Sequence, residues 1–271
     1  MAKTKEQLLN ILDQFQLDEK VVSAEPFGNG HINDTLKVTN EKGEIKYVLQ
    51  RINHLIFTNV DMLQNNIHVV TTHIRKKLEE KGETDIDRKV LTFLPTKDGK
   101  KYYFDGDSYW RVCLFIPRSK SYEEVTPELS YEAGKAFGDF QTMLSDIPEG
   151  TLGETIPDFH NMEFRLRQFH EAVAANPAGR LEEVKDLVEE IEKRAEAMCI
   201  QERLYREGQL KKRTNHCDTK VNNMMFDADS DKVLCVIDLD TVMPSYVFSD
   251  FGDFLRTAAN PVAEDSPELD K

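Results

Sequence analysis

The chain has 271 residues, 31% of them charged and 39% hydrophobic, a balance that suits a soluble globular protein of one large or two small domains. A formal net charge of −14 disfavours nucleic acid and anionic membrane as partners, but not a nucleotide, whose phosphates a cation can offset. Cys113, Cys199, Cys217 and Cys235 lack C-x-x-C spacing and read as thiols packed in a reducing compartment, with a reactive Cys217 as the lesser alternative. The first ten residues lack a signal-peptide core and no stretch is long and apolar enough to span a membrane, so the expected location is the cytoplasm.

Residues 4–16 carry Leu8, Leu9, Ile11, Leu12 and Phe15 at helical spacing behind Thr4 and Gln7, a capping-box pair. The pattern then turns to strands over Val21–Phe27, Ile32–Thr39 and Glu44–Ile52. The first turn holds Gly28 and Gly30. Such a tip can present backbone N–H groups to phosphates, with His31, Asn33 and Thr35 as side-chain donors, but it is equally the tip of an ordinary hairpin. A helix is expected over about 59–80, then strands over 89–94, 100–105 and 108–116, giving an antiparallel sheet of about five strands that stops at Pro117. Beyond it the periodicity is helical. Thr126 and Pro127 open one helix, 160–174 forms another, and 180–207 reads as one long helix packed on the second half of the molecule.

The segment Thr214–Thr241 carries the chemistry. It contains H-x-D-x-x-x-x-N at His216, Asp218 and Asn223, followed by two short apolar runs around the acidic turn 227–231. The runs read as a hairpin with Asn223 at its start and Asp238 at its end. Phosphoryl transfer from a nucleotide needs one carboxylate to orient the acceptor hydroxyl and take its proton. It also needs oxygen ligands to hold Mg²⁺ on the phosphates. Asp218 suits the first role, and Asn223 with Asp238 the second.

This segment resembles the catalytic loop and metal strand of the aminoglycoside phosphotransferase and choline kinase superfamily, whose fold is similar to protein kinases. The residues F-G-N-G-H-I-N-D-T at 27–35, Y-V-L-Q-R-I-N-H-L-I-F at 47–57 and H-C-D-T-K-V-N-N with I-D-L-D-T resemble the N-acetylhexosamine 1-kinase branch. The resemblance implies an α+β, two-lobed fold: an N-lobe over 1–114, a hinge at 115–117 and a helical C-lobe over 118–271. It implies a chain lacking C-terminal helices that carry part of the sugar pocket in relatives. ATP would lie in the cleft with Mg²⁺. Gly28, Gly30, Thr35 and Gln50 would line it, and backbone groups of Phe115 and Ile116 would pair with adenine. Gln50 stands where kinase-like enzymes place a lysine and is expected to face the nucleotide, with Arg51 turned away. Gln64, Asn65 and His68 stand where its carboxylate partner would be sought. His31 and Asp240 are candidates for the acceptor, Asp240 also for a second ion. His216 is expected to brace the loop. Asp250 is expected to cap the helix opened by Ser249–Phe254 and to accept N–H groups from the loop. The implied function is transfer of the ATP γ-phosphate to a small hydroxyl, with the anomeric hydroxyl of an N-acetylhexosamine favoured. Choline, ethanolamine, homoserine and aminoglycosides are the alternative acceptors, and a nucleotide-binding pseudokinase is the alternative class.

Overall fold

The structure is a computed structural model describing residues 3–28, 32–122, 125–259 and 262. It has the expected α+β, kinase-like organisation. An antiparallel sheet forms from β1 (Val21–Pro26), β2 (Asp34–Asn40), β3 (Ile45–Ile52), β4 (Phe93–Leu94), β5 (Tyr103–Phe104) and β6 (Tyr109–Leu114). The spatial order is β1-β2-β3-β6-β4, with short β5 also on β6, so there are six strands rather than the expected five.

Alternation along the strands gives the sheet two different faces. Leu36 and Val38, Tyr47 and Leu49, and Trp110 and Val112 point to one face. There they pack under α1 (Lys5–Leu12), which contributes Leu8, Ile11 and Leu12, and under Phe15 just beyond it. Helix α1 begins with the capping box read from Thr4 and Gln7, and it ends earlier than expected. The other face carries Thr35, Gln50 and Arg111 side by side, because Thr35 pairs with Gln50 and Gln50 with Arg111. This polar row faces away from the α1 core.

A second core runs through the rest of the molecule. Helix α2 (Val60–Glu80) buries Leu63, Ile67 and Val70 against Phe137, Phe140 and Leu144 of α3 (Pro127–Leu144). Met224 and Phe226 of β9 (Met224–Asp227) and Val236 of β10 (Val233–Val236) complete it. Helix α2 therefore lies between β3 and β4 in sequence but buries its apolar face against α3 and the β9–β10 hairpin. Asn66 fastens it there. The fully buried amide donates to the carbonyls of Gly153 (2.7 Å) and Val242 (3.0 Å) and accepts from Gly153 N–H.

Strand β7 (Ser119–Lys120) pairs with β9 on the side away from β10, and β8 (Arg213–Asn215) pairs with β11 (Met243–Ser245). The remaining helices are α4 (Met162–Ala175), α5 (Lys185–Met198), α6 (Ile200–Arg206) and α7 (Val247–Ala258). The single helix expected over 180–207 is thus broken. A 3-10 turn occupies Leu181–Val184, and the helix changes course at Cys199. The second piece carries Glu202 to the Tyr246 hydroxyl, which donates to it at 3.1 Å. No residue of α5 is fully buried; α5 lies on the second lobe beside α4, with His170 pairing with Glu192 at 2.8 Å. No helix of the described residues is long and apolar enough to cross a membrane.

Candidate active site

The catalytic loop leaves β8 at Asn215, and its shape depends on its supports. His216 is fully buried, with the Phe137 and Phe140 rings of α3 edge-on to it at 5.7 and 5.8 Å. Its Nδ1 accepts from Asp218 N–H at 3.2 Å. Nε2 must then carry the proton, and it donates to the carbonyl of Ile237 at 2.9 Å. One neutral imidazole thus ties the catalytic loop to the residue before Asp238. Asp250 holds the loop from below. Its carboxylate accepts the N–H groups of His216 and Cys217, both at 2.9 Å. It does not cap a helix as expected. It lies inside the first turn of α7, which starts at Val247, so its carboxylate is free for the loop. Asp253, three residues on, accepts from Thr219 N–H at 2.6 Å.

These supports bring three predicted residues together. Asn223 sits in a 3-10 turn, Val221–Asn223, just before β9, and its Nδ2 donates to the Asp218 carbonyl (2.8 Å) and carboxylate (3.0 Å). Ile237 N–H donates to the Asn223 carbonyl at 2.9 Å and closes the mouth of the hairpin. Asp238 follows in a left-handed conformation (φ 56°, ψ 57°), which an Asp tolerates better than most residues. Asp238 lies deep in the cleft yet its surface remains open to it. That enclosure, followed by the negative charges of Asp240 and Asp218, raises its carboxyl from 3.8 to about 6, while the positive charge of Arg111 pulls the other way.

The donor set fits Mg²⁺. The Asn223 nitrogen is committed to Asp218, which leaves the amide oxygen for a cation, and among the described residues the Asp238 carboxylate forms no close ion pair. Among the described residues no three His, Cys, Asp or Glu side chains gather as a metal cage, so any ion here would complete its shell with phosphate oxygens and water.

Elsewhere the structure departs from the sequence reading. Asp240 is neither open to an acceptor nor free for a second ion. Its buried carboxylate accepts from Arg111 through Nη1 (2.5 Å) and Nη2 (2.9 Å), and from Asn33 Nδ2. Gln50 lies in the row expected to face the nucleotide, where one of its two N–H groups donates to Thr35 Oγ1 (3.1 Å) and its oxygen accepts from Arg111 Nε (2.9 Å). Arg51 pairs with Asp34 on the exposed side. Phe115 N–H donates to the Lys46 carbonyl, and the Ile116 carbonyl accepts from Ser119 Oγ. Of that pair only the Phe115 N–H is fully engaged within the chain, and the Ile116 carbonyl keeps a second lone pair. Gly28 has a φ of 76°, which the absence of a Cβ permits; Gly30 and His31 lie outside the described residues. Cys217 is buried, and burial pushes its thiol well above its ordinary value, so it packs as a neutral group rather than reacting. Burial likewise pushes Cys113 to about 11 and Cys235 to about 12.

Three functional side chains escaped the sequence reading. Lys220, two residues after Asp218, brings its ammonium within 3.8 Å of that carboxylate. Arg111 interrupts an otherwise apolar strand, and that interruption was the available signal. Asn66 had no local signal at all, since both its partners are distant in sequence. Near the loop, Cys217, His160, Glu202, Lys212 and Tyr246 line a cavity of about 40 Å³.

A sheet-bearing lobe joined to a helical one, with a loop carboxylate, an amide and a strand-end carboxylate between them, is the plan of a kinase-like phosphotransferase. Residues 23–270 match the phosphotransferase enzyme family typified by aminoglycoside phosphotransferases, and the chain belongs to that family. Among solved structures it is similar to spectinomycin phosphotransferase in complex with ADP and spectinomycin, with 12% identity and a TM-score of 0.59 over 95% of this chain and 74% of that one. It is also similar to an aminoglycoside phosphotransferase from Alicyclobacillus acidocaldarius, with 16% identity and a TM-score of 0.61 over 95% of this chain and 72% of that one. The AMP-bound complex of spectinomycin phosphotransferase matches at 12% identity and a TM-score of 0.56, over 94% of this chain and 75% of that one. At these identities the likeness is one of fold.

Proposed function

We propose that this protein transfers the γ-phosphate of ATP to a hydroxyl of a small molecule. The observation that carries this reading is the hairpin mouth, where Asn223 bonds Asp218 directly and Asp238 stands one residue beyond the Ile237–Asn223 backbone bond. Asp218 accepts the acceptor's hydroxyl proton as the new O–P bond forms and ADP departs. In a loose transition state its main contribution is orientation. Asn223 and Asp238 would hold Mg²⁺, which would supply positive charge to offset that of the phosphates. Lys220 is placed to pair with the transferred group.

The acceptor we favour is an N-acetylhexosamine, phosphorylated at its anomeric hydroxyl. The support is the resemblance carried by residues 27–35, 47–57 and 216–223. One neighbour of known structure is in complex with ADP and spectinomycin, which keeps such antibiotics in the panel. A second reading, a nucleotide-binding regulator without turnover, is favoured by one observation, the neutral Gln50 in place of a strand lysine. Mass analysis of products from ATP and Mg²⁺ with N-acetylhexosamines, choline, ethanolamine, homoserine and aminoglycosides separates these readings. One phosphorylated product is expected. ATP binding with no product from any acceptor would favour the regulator. Asp218→Asn is expected to lower turnover by at least about 10²-fold while leaving ATP binding intact, as befits loss of an orienting base. Full turnover by that variant refutes the assignment.

A further inference from the structure

The buried pair of Arg111 and Asp240 joins two elements far apart in sequence. Arg111 belongs to β6 in the sheet. Asp240 belongs to the 3-10 turn Leu239–Thr241, which starts immediately after Asp238. Both side chains are 3% exposed. Taking two charges out of water is costly, and well-packed apolar residues of similar volume often stabilise as much or more, so stability alone does not account for the pair. Its geometry is specific. The guanidinium contacts Asp240 through both Nη atoms and Gln50 through Nε, and Gln50 reaches Thr35. Asn33, two residues beyond His31, adds a third donor to Asp240, while its own oxygen accepts from Asn53 N–H at 2.9 Å. Arg111 of β6 and Asn33, just before β2, thus converge on one carboxylate two residues from the candidate metal ligand, with Gln50 of β3 bonded to the arginine.

We propose that Arg111, Asn33 and Asp240 form a latch that holds the metal-bearing turn in register with the sheet. Arg111 and Asp240 are positioning residues in this arrangement. They act through Asp238, whose left-handed backbone the anchored turn maintains. In a site where Gln50 supplies no charge, Arg111 also brings the cleft its buried cation from the neighbouring strand, directly in register with Gln50. The inference rests on the phosphotransfer reading, because it assigns Asp238 to the magnesium of a bound nucleotide.

The test is calorimetric titration of the whole chain with ADP, with and without Mg²⁺, in four proteins: the parent, Asn33→Ala, Asp240→Asn and the double variant Arg111→Met with Asp240→Leu. The double variant replaces the pair by apolar groups and avoids an orphaned charge, so it is expected to remain folded. Its affinity for ADP without metal should stay within about 3-fold of the parent, while its affinity for MgADP falls about 10-fold or more, the loss expected when a ligand is held slack. Asp240→Asn strands the guanidinium and should lose both stability and the magnesium effect. Asn33→Ala keeps the ion pair and should lose only about 3-fold in MgADP affinity, a fraction of the double variant's loss. If the double variant fails to fold, Asn33→Ala decides: an unchanged MgADP-to-ADP ratio overturns the latch. An unchanged ratio in a folded double variant overturns it as well. With Asp218→Asn inactive in that case, the latch falls and the phosphotransfer reading stands. A parent protein whose ADP affinity ignores magnesium overturns both.

Discussion

At the residue scale the site turns on where each oxygen is spent. Asn223 uses its nitrogen on Asp218, so the two residues form one unit, and a cation can meet only the amide oxygen. Asp238 is held differently, by shape and by the charge around it. With its carboxyl raised to about 6, a proton competes with any cation for the same oxygens. The sign follows directly. Above pH 6 the carboxylate is ionised and available to Mg²⁺; below it the group is protonated and binding weakens. Affinity for MgADP should therefore fall as the pH is lowered from about 8 to about 5, while affinity for ADP without metal changes less. In the metal-free protein a raised carboxyl stabilises the fold below its unfolded value of 3.8, and that contribution is lost as the pH rises through about 6. Asp238→Asn should abolish the magnesium-dependent part of the profile. A flat MgADP affinity over this range in the parent would remove Asp238 from the metal's ligands. Asp218, Asn223 and Asp238 were legible because their spacing brings them to one hairpin mouth. Asp240 was not: nothing in I-D-L-D-T says that an arginine more than a hundred residues earlier will bury it, so it read as an open carboxylate.

At the element scale the catalytic loop is a short irregular segment that cannot hold its own shape. Cys217 takes a left-handed backbone (φ 65°), which costs on the order of 1 kcal/mol, and the loop's N–H groups find no strand partner. Helix α7 supplies what the loop lacks, through Asp250 and Asp253 one turn apart on the same helix face. The Asp250 carboxylate is itself held by Gln141 Nε2 from α3 at 3.0 Å. Asp250→Ala leaves two buried N–H groups unpaired, at about 1–3 kcal/mol each. Thermal or urea unfolding should register a loss of about 2–5 kcal/mol, with turnover falling further than ATP affinity because Asp218 is displaced. A variant as stable and active as the parent would show that the loop supports itself. Strands β1 to β3, α1 and α3 were legible because period, cap and turn residues agreed in each. The stretch 180–207 was not. Its charge and apolar pattern suits a helix throughout, and the break at Cys199 serves a contact between Glu202 and Tyr246 that local sequence does not encode.

At the scale of the whole molecule, three side-chain ties join segments distant in sequence. Asn66 ties α2 to Gly153 and Val242, Arg88 ties the segment before β4 to Asp227 of β9 at 2.8 Å, and Arg111 ties β6 to Asp240. Two of these ties end within four residues of Asp238, so a ligand that bridges the sheet and the metal turn should stiffen the joint between the cores. On the proposed reading a nucleotide with magnesium would do this by touching both sides, whereas ADP without the ion would lose its hold on the hairpin. Ligand at about 100 times its dissociation constant stabilises the fold by about 2.7 kcal/mol. For a chain of 271 residues that corresponds to a rise of about 5 °C in Tm. MgADP should produce such a rise in the parent protein, and ADP with a chelator a clearly smaller one. Asn66→Leu, which strands buried backbone groups of Gly153 and Val242, should lower the starting Tm while leaving the magnesium-dependent increment in place, since Asn66 lies behind the metal turn and touches none of its oxygens. Equal shifts with and without magnesium would mean that nucleotide contacts the sheet alone, and that the hairpin of Asn223 and Asp238 plays no part in holding it.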